Sequence, residues 1–171
     1  MTRVQDAHYA EIAAQWGAAL QRIARTYEAD PERRRDLLQD MHVTLWKSLR
    51  AFDGRCSIRT WVYRVASNVA ATHVNRERRN RMELVTLDAI ENVPAGNDAS
   101  ARIETDDALT RLYSLIHRLK APDRQVMTLY LEGLSAEEIA EVTALSPGAI
   151  ATRISRLKAL LARLFHETAH D

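Results

Sequence analysis

Residues 134–164, LSAEEIAEVTALSPGAIATRISRLKALLARL, decide the fold of the C-terminal half. Ser135 followed by Glu138 fits a capping box, in which a hydroxyl and a carboxylate each satisfy a backbone N–H that a helix start leaves unpaired. Thr143-Ala144-Leu145 makes a tight turn, and Ser146 with Pro147 supplies an N-cap and a first-turn proline for a longer helix. In that helix Ile150, Ile154, Leu157, Leu161 and Leu164 form one continuous apolar stripe. The opposite face presents Thr152, Arg153 and Arg156. A helix packed on one side and arginine-bearing on the other can enter the DNA major groove, where arginine reads guanine O6 and N7 in a bidentate pair. An amphipathic hairpin with a solvated basic face explains the stripe, but not cap, turn and proline in this order. Ala144 departs from the glycine common in such turns, and alanine in left-handed backbone costs on the order of 1 kcal/mol.

Working outward, helical spacing dominates and no segment sustains the alternation of a half-buried strand. The chain reads as all-α, two small helical domains joined by a flexible linker. The first helix is expected near Tyr9–Tyr27, with Ile12, Trp16, Leu20 and Ile23 on one face, and Asp30-Pro31 marks a break and restart. A second runs to about Ala51 on Leu38, Met41, Leu45 and Leu49, and Phe52-Asp53-Gly54 ends it. A third begins near Thr60. Its faces separate into Trp61, Val65 and Val69, suited to a core, and a polar and basic stripe of Arg64, Asn68, Ala71, Asn75 and Arg78. From Arg81 the periodicity fades, and VPAGNDAS is linker chemistry. The expected organisation is a domain over 1–80, an acidic linker over 81–104 and a helix-turn-helix domain over 105–171.

Charge follows the same division. The net charge of the 171 residues is only +1, but residues 1–80 hold 14 Lys+Arg against 9 Asp+Glu, and residues 81–109 hold 2 against 7. Every charge from Thr143 through Leu164 is basic, which suits an anionic partner. With 46% apolar residues the chain can form a core, no stretch approaches a membrane span, and the N-terminus lacks the pattern of a secretory signal. A cytoplasmic protein is expected. Cys56, the one cysteine, cannot form an internal disulfide and reads as a small, weakly polar filler in a reducing compartment, with redox sensing the alternative.

Residues 36–79, DLLQDMHVTLWKSLRAFDGRCSIRTWVYRVASNVAATHVNRERR, carry the second long motif. The order Asp36-Leu37-Leu38-Gln39-Asp40, Trp46, Phe52-Asp53-Gly54, then Arg59 through Ala66 and Asn68, resembles region 2 of the extracytoplasmic-function sigma factors of bacterial RNA polymerase. The C-terminal helix-turn-helix and its lead-in, Leu119 through Val126, resemble their region 4. The resemblance runs from about Tyr9 to Phe165, the linker excepted.

That resemblance implies a promoter-specificity subunit with no catalysis of its own, partnered by core RNA polymerase through the clamp helices of its largest subunit and the beta flap, by promoter DNA, and by an anti-sigma factor. It implies no cofactor, no metal and no membrane insertion. Asp36, Leu37, Gln39, Asp40, Val43 and Trp46 become the polymerase-docking residues, with Leu38, Met41 and Leu45 assigned to the core. The loop Asp53, Gly54, Arg55, Cys56, Ser57 and Ile58 becomes the pocket for a flipped base of the −10 element, and Arg64 and Asn68 contact the melted strand. A strand separated from its partner needs a positive groove and a surface for unstacked bases, which a basic stripe beside a loop offers. A solvated charged face is the alternative for Arg76, Arg78 and Arg79. For the −35 element the residues are Ala149, Thr152, Arg153, Ser155 and Arg156. Here Ala149 stands where the family has a hydroxyl and Ala151 where it often has a basic residue, so fewer −35 contacts are expected. Glu83, Asp88, Glu91 and Asp98 of the connector either mimic RNA in the polymerase cleft or form an ordinary tether.

Two rivals remain. A two-domain activator with a LuxR-like helix-turn-helix shares the DNA-binding half, but has no need for residues 36–79. His166-Glu167-Thr168-Ala169-His170 matches HExxH, in which two histidines one helical turn apart bind zinc and the glutamate activates a water. A catalytic zinc also needs a third ligand and a cleft, and only Asp171 follows.

Overall fold

The computed structural model describes residues 2–87 and 107–167. Among them are seven α-helices and no strand: α1 (Thr2–Tyr27), α2 (Pro31–Ser48), α3 (Ile58–Leu87), α4 (Asp107–His117), α5 (Ala121–Leu131), α6 (Ala136–Thr143) and α7 (Pro147–Glu167), with a 3-10 turn at Leu49–Ala51. The acidic connector expected at 81–104 therefore begins as the last two turns of α3, which holds Glu83. Asp88, Glu91, Asp98, Thr168, Ala169 and His170 lie outside the described residues.

Local chemistry sets the element boundaries. The Asp30 carboxylate accepts from the Arg33 N–H at 2.9 Å and Pro31 opens α2. After α5, Gly133 turns left-handed at φ +77°, so that its N–H reaches Tyr130 O and the Leu134 N–H reaches Leu129 O, the paired bonds that end a helix on glycine. The chain can then reverse into α6.

Helices α1, α2 and α3 pack together on Ile12, Leu20 and Ile23, on Leu37, Met41 and Leu45, and on Val62 and Ala66, all at most 2% exposed. Leu37 rather than Leu38 completes the α2 stripe at four-residue spacing, and Leu38 is half-buried. On α3 the buried residues include Trp61, as expected, with Val62, Ala66, Ala70 and His73, while Val65 and Val69 sit at the margin. The expected core face is rotated because α3 is covered twice, by α1 and α2 and again by α5 and α6. Its small residues Ala66, Ser67 and Ala70 permit that close approach.

In the C-terminal half, Ile116, Val126, Met127, Leu129, Ile139, Ile150 and Leu157 are buried. These residues join the N-terminal core in one continuous apolar cluster. The two halves thus pack against each other, with the Thr128 hydroxyl donating to Thr26 Oγ1 at 3.0 Å in a buried position.

Candidate nucleic-acid and polymerase interface

Three surfaces hold the residues singled out in the sequence. On α2, Asp36, Gln39, Asp40 and Val43 fall at i, i+3, i+4 and i+7 on one exposed face, with Val43 41% exposed. Leu37 is corrected: at 0% exposure its side chain is core and has no surface to offer a partner. Trp46 is half-buried and tied to α1, its indole N–H donating to Asp6 Oδ1 at 3.0 Å and its carbonyl accepting from Gln5 Nε2 at 2.7 Å. Asp40 lies 3.9 Å from Arg76 of α3, a loose exposed pair.

The second surface is the loop between the 3-10 turn and α3. Phe52 anchors it by packing on Trp61, ring centres 5.4 Å apart. Gly54 takes the left-handed turn at φ +75°. The Asp53 carboxylate accepts from the Arg55 backbone N–H at 3.1 Å and from its guanidinium, contacts that hold the acid below its usual carboxylate range, backbone bond foremost. Cys56 is half-buried and packs on the core edge. Ser57 caps α3, accepting from the Thr60 N–H at 3.0 Å and sharing a hydroxyl bond with Thr60 at 2.9 Å. Its hydroxyl is therefore engaged in the helix start, as is the Ser57 carbonyl, which accepts from Trp61 N at 3.0 Å. Ile58 is half-buried and Asn68 is exposed on the next turns of α3. Arg64, on the same stripe, donates to the Glu141 carbonyl of α6 at 2.9 Å.

The third surface is the helix-turn-helix. The capping box forms, with Glu138 N donating to Ser135 Oγ at 3.2 Å and Ser135 N to Glu138 Oε2 at 2.8 Å. Ala144 closes α6 in left-handed backbone at φ 60°, ψ 21°, its N–H on Ala140 O at 3.0 Å. The Ser146 hydroxyl caps α7 through the Ala149 N–H. Ala149, Thr152, Ser155 and Arg156 face solvent on α7, opposite buried Ile150, Leu157 and Leu161. Thr152 spends its donor on the Gly148 carbonyl at 3.1 Å. Arg153 is half-buried and paired with Asp123 of α5 at 3.0 Å, which braces α7 on its neighbour.

A network that sequence reasoning missed joins the second and third surfaces. Arg59 of α3 donates to Glu138 Oε1 at 3.2 Å and to Gly133 O at 3.1 Å. The Glu132 carboxylate accepts from Arg22 Nε and Nη2, each at 2.7 Å, and from the Tyr63 hydroxyl at 3.3 Å. Burial, with the Glu132 charge behind it, pushes the Tyr63 phenol up to about 12, so it stays a donor. No local pattern announces contacts between residues 69–110 positions apart.

At the C-terminus Arg163 pairs with Glu167 at 3.8 Å, and among the described residues no cluster of His, Cys, Asp and Glu is arranged to hold a metal. No helix among them is long and apolar enough to cross a membrane.

The sigma-70 region 2 family matches residues 12–80, and the sigma-70 region 4 family matches residues 109–161. The chain is 31% identical over 138 residues to the RNA polymerase sigma-H factor of Pseudomonas aeruginosa, covering 75% of this chain and 71% of the relative. It is 29% identical over 168 residues to the RNA polymerase sigma factor CnrH of Cupriavidus metallidurans, covering 91% and 85%. The solved structure of CnrH in complex with the cytosolic domain of CnrY has a similar fold, with a TM-score of 0.67, 26% identity, and 93% and 88% of the two chains covered. The chain belongs to the sigma-70 family. Within that family it is an extracytoplasmic-function sigma factor, directing promoter-specific transcription initiation with RNA polymerase and promoter DNA as partners. The match over residues 12–80 leaves the LuxR-like alternative without support.

Proposed function

We propose that this sigma factor acts as a dissociable specificity subunit in the cytoplasm, selecting promoters while polymerase carries out the chemistry. The α2 face of Asp36, Gln39, Asp40 and Val43, flanked by Trp46, docks on the clamp helices of the largest subunit, and the C-terminal half meets the beta flap. The loop from Asp53 to Ile58 forms the wall of a base pocket, and Asn68 with Arg64 holds the melted −10 strand. Extracting a base costs a few kcal/mol, offset by pocket and phosphate contacts. Ala149, Thr152, Ser155 and Arg156 meet the −35 duplex, with Arg153 positioning α7 through Asp123. An anti-sigma factor is the regulatory partner, a reading supported by the CnrH complex with CnrY.

One observation carries the reading: a capped, left-handed turn delivers α7 with one face buried and a solvent face of Thr152, Ser155 and Arg156. The test of the −10 half is Asn68→Ala. Promoter opening is expected to fall while affinity for core polymerase stays within about twofold, since the side chain is exposed and supports no packing. An unchanged open complex would remove Asn68 from the strand.

A further inference from the structure

A cavity of about 450 Å³ opens where α1, α2 and α4 meet. Each helix contributes one stripe to its wall. Gln21, Arg22 and Arg25 share a face of α1, Arg34 and Leu38 lie one turn apart on α2, and Leu109 and Tyr113 lie one turn apart on α4. At about 100° per residue, Arg34 and Leu38 fall about 160–200° around α2 from Asp36, so the cavity lies behind the α2 face given to polymerase. Its size is that of a site for a small molecule, which ordinarily occupies about 300–1,000 Å³.

The charge of this cavity is one-sided. Four guanidiniums line it, those of Arg22, Arg25, Arg34 and Arg35, and among the described residues no carboxylate does. Arg22 gives two nitrogens to Glu132, and Arg35 pairs with Glu32 on the exposed rim. Arg25 and Arg34 are half-buried and have no ion-pair partner among the described residues. The acids that favour the charge of Arg34, Glu28 and Asp30, are committed elsewhere. Glu28 is bonded to His73 Nε2 at 2.9 Å and accepts from the Asp30 N–H, while Asp30 caps α2. Burial, with the Arg25 charge behind it, pulls the Arg34 guanidinium below its ordinary value. Two half-buried cations facing one cavity without an anion between them carry a repulsion that a bound anion removes.

The remaining wall suits a planar body. The Arg25 guanidinium lies over the Tyr113 ring, 4.3 Å from its centre, and forms with it a flat platform. Leu38 and Leu109 flank the opening, and Leu109 is one of the few large apolar side chains left exposed, at 38%. Guanidinium forks match phosphate oxygens in pairs, and a ring attached to the phosphate gains contact with the platform and the two leucines.

We propose that the cavity between α1, α2 and α4 binds a nucleoside diphosphate, its phosphates on Arg25 and Arg34 and its ring against Tyr113 between Leu38 and Leu109. The site is separate from the residues given to polymerase and promoter, so the factor carries a place for a small effector as well as for its macromolecular partners. Inorganic diphosphate alone fills only the charged side of the cavity. A nucleoside alone fills only the apolar side and leaves the arginines unpaired.

Isothermal titration of the full chain with ADP, GDP, inorganic pyrophosphate and adenosine tests the site. ADP or GDP is expected to bind saturably with one molecule per chain, pyrophosphate about tenfold more weakly, and adenosine not measurably, as expected when charge-assisted bonds carry the affinity. Arg25→Gln and Arg34→Gln should each weaken the nucleotide about tenfold or more. Leu109→Ala, at an exposed position that supports little packing, should weaken the nucleotide about threefold and leave pyrophosphate unchanged. Arg163→Ala, at an exposed position on α7, should bind as the wild type does. Absence of saturable binding by both nucleotides would overturn the site. Equal affinity for pyrophosphate and nucleotide, or an equal loss in Arg163→Ala, would overturn it too, leaving a diffuse positive field. Displacement of bound nucleotide by duplex DNA of arbitrary sequence would assign the four arginines to nucleic acid instead. None of these titrations involves polymerase, so their failure leaves the sigma-factor reading where it stands.

Discussion

Ala144→Gly tests the turn that aims α7. Ala144 lies at φ 60°, ψ 21°, where its β-carbon crowds the following carbonyl oxygen at a cost of about 1–2 kcal/mol, a cost that glycine does not have. The opposing term is in the unfolded chain, where glycine gains freedom worth about 0.4–1 kcal/mol. Ala144 is exposed, so removing its methyl group takes no contact from the core. The balance favours glycine by about 0.5 kcal/mol, at most about 1.5 kcal/mol, which for a chain of this size raises Tm by roughly 1–6 °C. Urea unfolding followed by circular dichroism measures it, with the midpoint rising and the slope unchanged. A midpoint lowered by more than about 0.5 kcal/mol equivalent would mean that residue 144 is right-handed and that α7 leaves α6 at a different angle.

Other perturbations separate packing from recognition. Leu37→Ala should cost about 2–5 kcal/mol in urea unfolding, as expected for a side chain at 0% exposure, and a loss confined to polymerase affinity would return Leu37 to the surface. Arg156→Ala should cost about 1–3 kcal/mol at one −35 base pair and relax discrimination there. Equal loss on every duplex sequence in a binding titration would make it a phosphate contact instead. Burial holds His117 and His42 below the ordinary value of 6.5, His117 keeping a 2.7 Å bond to the Arg25 carbonyl with Arg124 and Arg34 also opposing its charge. The unfolded chain therefore binds more protons below that value, so stability is full above pH 6.5 and declines as pH falls toward the depressed native values. His117→Gln should flatten the decline measured by thermal melts between pH 7 and 5, and an unaltered slope would assign it to other groups.

Much of this was legible in the residues because it is local. The capping box at Ser135 and Glu138, the Ser146-Pro147 start and the α7 stripe each depend on neighbours within a few positions, and they appear where the spacing places them. Leu37 and Leu38 differ by one position, a rotation of about 100°, and apolar spacing alone does not say which of the two a third helix will cover. On α3 the polar stripe is exposed and Trp61 is buried, as the spacing predicts, while Val65 and Val69 sit at the margin of a face centred on Val62, Ala66 and Ala70 for a related reason. Periodicity identifies one buried stripe, and α3 is covered on two sides because the C-terminal half returns to it. The clasp of Glu132 by Arg22 and Tyr63 has no sequence signature, since charged residues far apart in the chain become partners only after the helices pack. Arg153 matches the recognition-helix pattern yet pairs with Asp123, a distinction that depends on where α5 lies.

Promoter-dependent transcription with core polymerase and this chain tests the central claim most directly. Core polymerase mixed with the full chain should start RNA at discrete sites on genomic fragments, and Asn68→Ala and Arg156→Ala should each reduce those transcripts without abolishing polymerase binding. No discrete start from any fragment, together with no binding to core polymerase, would contradict the account.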